Sequence, residues 1–384
     1  MYLGSIGTGK SNAIFQITEQ VQESLTEDDI LIIFDTKGDF LEKFQKPNSV
    51  IISNDMTACS GSKTDYWNIF NELTDDENLE ENITEIATTL FYHQLTDNNQ
   101  KFFPNAARDI FSAILYLLKT ESYIEHLDNA YLRTWFDLNG IEEIKANLFS
   151  SEKTKAFMSY LGGADNDQSN QAIGVLSELQ QLIRSIFIGN FKKSGELSIK
   201  SLIKQSQAKT IFIEYDLAVG NMLTPIYRLL LDLAIKEALS RKKNKGNVWF
   251  IIDEFKLIPH LQHIDDAINF GRSLGVKLIL GCQNVEQLYQ VYGEHKARSI
   301  LSGLSTNIVF RLNDGASREY VQDTFGSNRK MEIFESNISS RGLSENIISA
   351  HVVEDWDITN LQLGEAIIGM PNLEPFIFKF DKYD

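Results

Sequence analysis

The stretch Gly4-Ser5-Ile6-Gly7-Thr8-Gly9-Lys10-Ser11 decides the fold. Its spacing is G-x-x-x-x-G-K-[ST], the pattern of a phosphate-binding loop. Glycines at Gly4, Gly7 and Gly9 let backbone N–H groups converge on phosphate oxygens without Cβ clashes. A helix beginning near Lys10 turns its positive dipole end toward the same phosphates. Thr8 joins this cradle, Lys10 reaches the β- and γ-phosphates, and the Ser11 hydroxyl suits Mg²⁺. Ile14, Ile17 and Val21 share one face of the helix that follows. Only Met1-Tyr2-Leu3 precedes the loop, whereas a strand usually has about five residues. Natural sequence upstream is therefore expected.

Outward from the loop, short apolar runs suited to buried parallel strands recur at Ile30–Phe34, Val50–Ile52, Thr210–Glu214, Val248–Ile252, Val276–Gly281 and Asn307–Leu312. Ala366–Gly369 and Phe376–Phe380 follow. Helical patterns lie between most of them, and Thr224-Pro225 reads as an N-cap and first-turn pair opening a helix to about Ser240. Strands alternating with helices predict an α/β sheet with helices on both faces. From Asn78 to Lys193 the strand signal fades. Ile110, Ile114, Leu117 and Leu118 fit a helix starting near Pro104. Ala172, Val175, Leu176, Leu179, Leu182 and Ile183 fit another, with a loop around Gly162-Gly163 and Asp165-Asn166-Asp167. The division predicted is 1–78 and 194–384 for the sheet domain and 79–193 for an all-α insertion. Glu332–Asn346 reads as a polar, mobile surface loop.

The chain has 384 residues, 43% hydrophobic and 23% charged. These are values of a globular protein and exclude wholesale disorder. Two cysteines, Cys59 and Cys282, cannot form a disulfide framework and suggest a reducing compartment. The longest apolar run, Ile110–Leu118 (broken only by Ser112), is far short of the roughly 18 residues a membrane span needs. The net charge of −17 argues at first against nucleic acid. It is unevenly spread. Residues 1–100 carry 5 Lys+Arg and 18 Asp+Glu, 5 − 18 = −13, while residues 201–300 carry 13 and 10, 13 − 10 = +3. Summed charge averages over surfaces that face different surroundings, so by itself it does not exclude that partner.

Val248-Trp249-Phe250-Ile251-Ile252-Asp253-Glu254 is an apolar strand ending in two carboxylates. Asp253 suits Mg²⁺, directly or through water, and Glu254 suits polarising an attacking water. A buried strand capped by two solvated acids is the other reading. The presence of a phosphate loop in the same chain favours the first, because ATPases need these parts at neighbouring strand ends. The acidic pair, and the absence of an N-K-x-D motif, favour ATP over GTP. Gln283 ends the next strand, as a γ-phosphate sensor or a loop-starting amide. Arg272 is a surface arginine or a finger reaching a neighbour's nucleotide. Asp265 and Asp266 with His260 and His263 lack a third cluster of metal ligands. Cys282 reads as a small core residue, and Arg241-Lys242-Lys243-Asn244-Lys245 as a solvated helix end.

With these runs in hand, the chain resembles the type IV secretion coupling proteins, the ATPases of bacterial conjugation. The resemblance rests on Gly4–Ser11, Phe34-Asp35-Thr36-Lys37-Gly38-Asp39, Tyr66-Trp67-Asn68-Ile69-Phe70, Ile252-Asp253-Glu254-Phe255, Phe270-Gly271-Arg272, Leu280-Gly281-Cys282-Gln283 and Val309-Phe310-Arg311-Leu312. It implies a RecA-like P-loop NTPase fold with an all-α domain, and a homohexameric ring around a DNA channel, with a shortened chain able to remain monomeric. It implies ATP and Mg²⁺ as cofactors. The implied partners are DNA, single-stranded by expectation, the relaxase and its relaxosome, and components of the secretion channel. Asp253 and Glu254 then match the Walker B pair, Arg272 a trans-acting finger and Gln283 the γ-phosphate sensor. Asp35 and Lys37 match a family motif at a strand's carboxyl end, and Asp35 is counted with the nucleotide-binding residues. The family implies a cytoplasmic domain whose natural protein is anchored in the bacterial membrane by an N-terminal segment. Two other readings use the same motor parts: a substrate receptor for protein secretion, and a chromosome-type DNA pump.

Overall fold

The computed structural model describes the chain apart from residues 56–61, 63–64, 98–100, 122–125, 163–169, 207–208, 243–244, 336–342 and 384. Cys59, the Gly163 and Asp165–Asp167 loop and Lys243-Asn244 lie outside the described residues. The strands are β1 (Tyr2–Leu3), β2 (Ile30–Asp35), β3 (Val50–Ser53), β4 (Thr210–Glu214), β5 (Val248–Ile252), β6 (Val276–Cys282), β7 (Asn307–Val309), β8 (Ser327–Glu335), β9 (Leu343–His351), β10 (Glu365–Gly369) and β11 (Phe376–Lys379). One nine-stranded sheet runs β11-β10-β7-β1-β6-β5-β2-β4-β3. Its strands are parallel from β7 to β3, while β10 and β11 are antiparallel at one edge.

Both faces of the sheet are covered, and β2 shows how. Its residues are buried throughout. Ile30, Ile32 and Phe34 join one apolar cluster with helix Gly220–Ser240, whereas Leu31 and Ile33 join a second with Ala13, Ile14 and Val21 of helix Lys10–Ser24. Side chains alternate faces along a strand, so a continuous apolar run is what a doubly covered parallel strand requires. Between β3 and β4 the longer described elements are all helices: Leu79–Leu90, Phe102–Glu121, Asn129–Leu138, Ile141–Phe149 and Asn170–Ile186 among them.

Two local expectations are corrected. Helix Gly220–Ser240 starts a turn before Pro225, so Thr224 is not its cap. Gly220 supplies the close approach that allows the earlier start, since a Cβ there would lie 2.2 Å from the Tyr215 ring. Thr224 instead donates its hydroxyl to Gly220 O at 3.0 Å. The polar stretch Glu332–Asn346 is not simply a loop. Ser327–Glu335 and Leu343–His351 pair antiparallel as a separate two-stranded sheet, in register from Ser327↔His351 to Glu335↔Leu343. Backbone pairing decides this, although the side chains look polar.

The chain enters and leaves the helical segment at one place, where Trp67 and Leu197 form a parallel bridge. Asn129 ties it together, donating to Trp67 O at 2.7 Å and Phe191 O at 2.9 Å and accepting from Ile69 N at 2.9 Å. Glu72 is wholly buried beside it. It accepts from Trp67 Nε1 (2.9 Å), Ser198 Oγ (3.1 Å), Ile199 N (2.7 Å) and Lys200 N (3.2 Å). Burial pushes its carboxyl up to about 7, against the pull of those donors. An unfolded glutamate releases its proton near 4.5. The stability drawn from this site is therefore complete below about pH 4.5 and declines as the pH rises to about 7. The expected outcome is a melting temperature with a downward slope across that window that Glu72→Gln flattens. Glu72→Ala, which strands buried donors, should cost roughly 3 kcal/mol by denaturant unfolding.

Candidate nucleotide site

The sheet order builds the site. β1 carries the phosphate loop at its carboxyl end, and β5 carries Asp253 and Glu254 at its own. β6 lies between them, pairing Tyr2↔Gly281 on one side and Ile252↔Leu280 on the other. Parallel strands put all three carboxyl ends on one edge, where ligands of open α/β sheets bind.

The loop is held from several sides. Gly4 N donates to Cys282 O (3.2 Å) and Ser5 N to Arg311 O (3.1 Å). Thr8 Oγ1 closes the turn on Ser5 O at 2.8 Å. Gly7 and Gly9 have φ of 74° and 104°, a region L side chains avoid. Helix Lys10–Ser24 has no side-chain cap and no acidic residue in its first turn. Its first N–H groups and its dipole are thus left to an anion.

Asp253 joins the two halves. Ser11 Oγ donates to Asp253 Oδ2 at 2.7 Å, and Lys10 Nζ lies 3.2 Å from Asp253 O and 3.7 Å from Oδ1. Asp253 Oδ1 is buried and accepts no hydrogen bond among the described residues. A hydroxyl and a carboxylate, hard oxygen donors in contact with one carboxylate oxygen to spare, fit Mg²⁺ with phosphates and water completing its shell. Glu254 Oε2 accepts from Gln283 Nε2 at 2.9 Å, and Lys256 Nζ is 3.8 Å from Oε1. Lys10, Ser11, Asp253, Glu254 and Gln283 are therefore brought together.

Arg272 is placed elsewhere, whereas Asp35 ends β2, the strand beside β5, on the same edge of the sheet. Arg272 is exposed near the end of helix Ile264–Leu274, just before β6 begins. It lines a hollow of about 300 Å³ with Met1, Trp249 and Thr306 at the amino ends of the strands, away from this chain's own phosphate loop. Asp35 ends β2 with its carboxylate turned into the following turn, accepting from Lys37 N (3.1 Å), Gly38 N (3.0 Å) and Leu41 N (2.8 Å). Burial raises its pKa despite those donors. In this structure Asp35 closes the turn into helix Asp39–Phe44. His263 pairs with Glu85 at 2.8 Å, and His260 packs on Tyr92.

Sequence reasoning missed Lys256 and the packing beneath the loop. A Cβ on Gly4 would meet Phe310 Cβ at 2.7 Å, and one on Gly9 would meet Gly364 Cα at 3.1 Å. A lysine two residues after an acidic pair was a visible signal. The glycine contacts had none, since their partners lie hundreds of residues away.

The family model for the type IV secretion-system coupling protein DNA-binding domain matches residues 1–382. The chain belongs to that family. It is 22% identical over 342 residues to coupling protein TraD of Escherichia coli K12, covering 86% of this chain and 44% of that protein. It is also 22% identical to the type IV secretion system-coupling protein VirD4 of Bartonella quintana, over 78% of this chain and 46% of that one. The chain thus spans less than half the length of these curated relatives. Among solved structures, the unbound conjugative coupling protein TrwBΔN70 superposes with a TM-score of 0.79 at 22% identity, covering 100% of this chain and 84% of that one. TrwB in complex with ADP and Mg²⁺ gives 0.77 at 21% identity, with 100% and 85% covered. The fold is accordingly RecA-like, with a P-loop.

Gly281 is the tightest joint in the site. A Cβ there would lie 2.2 Å from Asp253 O. Gly281→Ala is expected to lower stability by roughly 1–3 kcal/mol, read by denaturant unfolding, and to displace the aspartate that links the two halves.

Proposed function

We propose that the chain is the motor portion of a coupling protein that hydrolyses ATP to move DNA, with its attached relaxase, toward a type IV secretion channel. The observation that carries this reading is the contact of Ser11 and Lys10 with Asp253, with Glu254 and Gln283 alongside. Residues 1–78 and 194–384 form the motor and 79–193 the helical domain that meets substrates. Lys10 and the loop amides hold the phosphates, with Gly4, Gly7, Thr8 and Gly9 shaping the cradle. Ser11 and Asp253 hold Mg²⁺, which when bound neutralises phosphate charge. Glu254 orients the attacking water and takes its proton, and Gln283 fixes the Glu254 carboxylate. Arg272, on the opposite edge, serves a neighbour's nucleotide in a homohexameric ring around the DNA. The full-length protein holds this cytoplasmic part at the membrane through an N-terminal segment. No described helix is long and apolar enough to cross a membrane.

The test is ATPase rate against protein concentration, with and without single-stranded DNA. A rate rising faster than linearly, further stimulated by DNA and falling steeply with salt, is the expected result. Arg272→Ala should lose roughly 10³-fold or more by analogy with other trans arginines, with nucleotide binding retained. Glu254→Gln should bind ATP without turning it over. A linear rate indifferent to Arg272→Ala would end the ring arrangement. Absence of DNA stimulation, with relaxase still bound, would favour a substrate receptor.

A further inference from the structure

We propose that the C-terminal strap, residues 364–383, is a positioning element of the phosphate loop, acting through Gly364 at the loop and Asn12 on the helix that follows it. The inference rests on the nucleotide site proposed above and assigns new residues to it.

The strap grips the loop at one end. Gly364 N donates to Thr8 O at 3.1 Å. A Cβ on Gly9 would stand 3.1 Å from Gly364 Cα and 3.2 Å from its nitrogen, so the Gly364 backbone lies against the Gly9 backbone. Gly364 has a φ of 80°, a Cβ on it would fall 2.8 Å from Phe380 O, and Phe380 N donates back to Gly364 O at 2.9 Å. Only glycine fits between two backbones in that conformation.

The strap then runs along the helix. Asp381 O accepts from Asn12 Nδ2 at 2.7 Å and from Gln16 Nε2 at 2.5 Å, and Tyr383 N donates to Asn12 Oδ1 at 2.6 Å. Asn12, the residue after Ser11, spends both ends of its amide on the strap. The Tyr383 ring packs at 5.8 Å from Phe15, with Lys43 Nζ 5.2 Å from its centre.

The loop needs such a brace. It contains two glycines at positive φ, and the helix it opens lacks a side-chain cap. Glycines leave more backbone freedom to be frozen when phosphate binds. A strap that freezes the Thr8–Asn12 backbone in advance lowers that cost. Coupling of this kind is reciprocal, so bound nucleotide must tighten the strap as much as the strap tightens binding.

Equilibrium titration of the whole chain with a fluorescent ATP analogue and Mg²⁺, together with hydrogen exchange of residues 376–383 with and without a non-hydrolysable ATP analogue, tests this. Asn12→Ala and Gly364→Ala should each weaken binding roughly five- to tenfold, the scale of one or two lost hydrogen bonds. Strap exchange should slow when the analogue is bound. Gly364→Ala carries the greater folding risk, so Asn12→Ala with an unchanged melting temperature is the deciding variant. Wild-type affinity in that variant, or strap exchange indifferent to nucleotide, overturns the proposal while the nucleotide site stands. A wild-type chain that binds no better than Lys10→Ala overturns the nucleotide site and the strap together.

Discussion

Everything in the site depends on the contact between Ser11 and Asp253. It joins residues 242 positions apart, and it exists because β6 alone separates β1 from β5. Were the strand order different, the loop lysine and the acidic pair would lie on distant parts of the edge. The contact also demands that β6 be narrow at its carboxyl end, which Gly281 supplies against Asp253 O. Gln283 gains its place by the same arrangement, since the strand between the two halves delivers its terminal amide to Glu254.

The helical segment is fastened to the nine-stranded sheet and its helices by buried polar groups rather than by apolar packing alone. Glu72 and Asn129 fix the crossing point of the two chain paths. Further out, Glu85 of helix Leu79–Leu90 bridges Lys236 and His263. Burial pushes the Glu85 carboxyl up, but the donors from His263 and Lys236 outweigh it and its pKa is lowered, while His263 is raised mainly by the bond to Glu85. Arg228, wholly buried beneath, donates to Pro259 O at 2.8 Å, and Asp232 accepts from Gln262 N at 2.8 Å. These bonds hold the segment that follows the acidic pair against the helices.

The charge of −17 is unevenly spread along the chain. Its acidic excess lies in residues 1–100, which include the Asp75–Glu81 entry to the helical segment. Arg272 and Lys277 line the hollow at the opposite edge of the sheet from the phosphate loop. Summed charge averages surfaces that face different surroundings and so decides little about partners.

By itself the sequence determined the strands of the nine-stranded sheet, the phosphate loop and the acidic pair, because each depends on residues close together in the chain. A doubly buried strand must be apolar at every position, as β2 is, and a phosphate cradle must have glycine at Gly7 and Gly9. Motif order also led to Gln283. Tertiary structure alone decided the rest. The early start of helix Gly220–Ser240 follows from Tyr215 packing on Gly220, and the β8–β9 hairpin from backbone pairing that polar side chains conceal. The task of Asp35 in its turn follows from three N–H groups that converge only once the chain bends. The brace of Gly364 and Asp381 on the loop and its helix joins segments more than 350 residues apart. Such contacts involve backbone atoms and glycines, which every sequence offers in plenty, so nothing in the residue pattern marks which of them will meet.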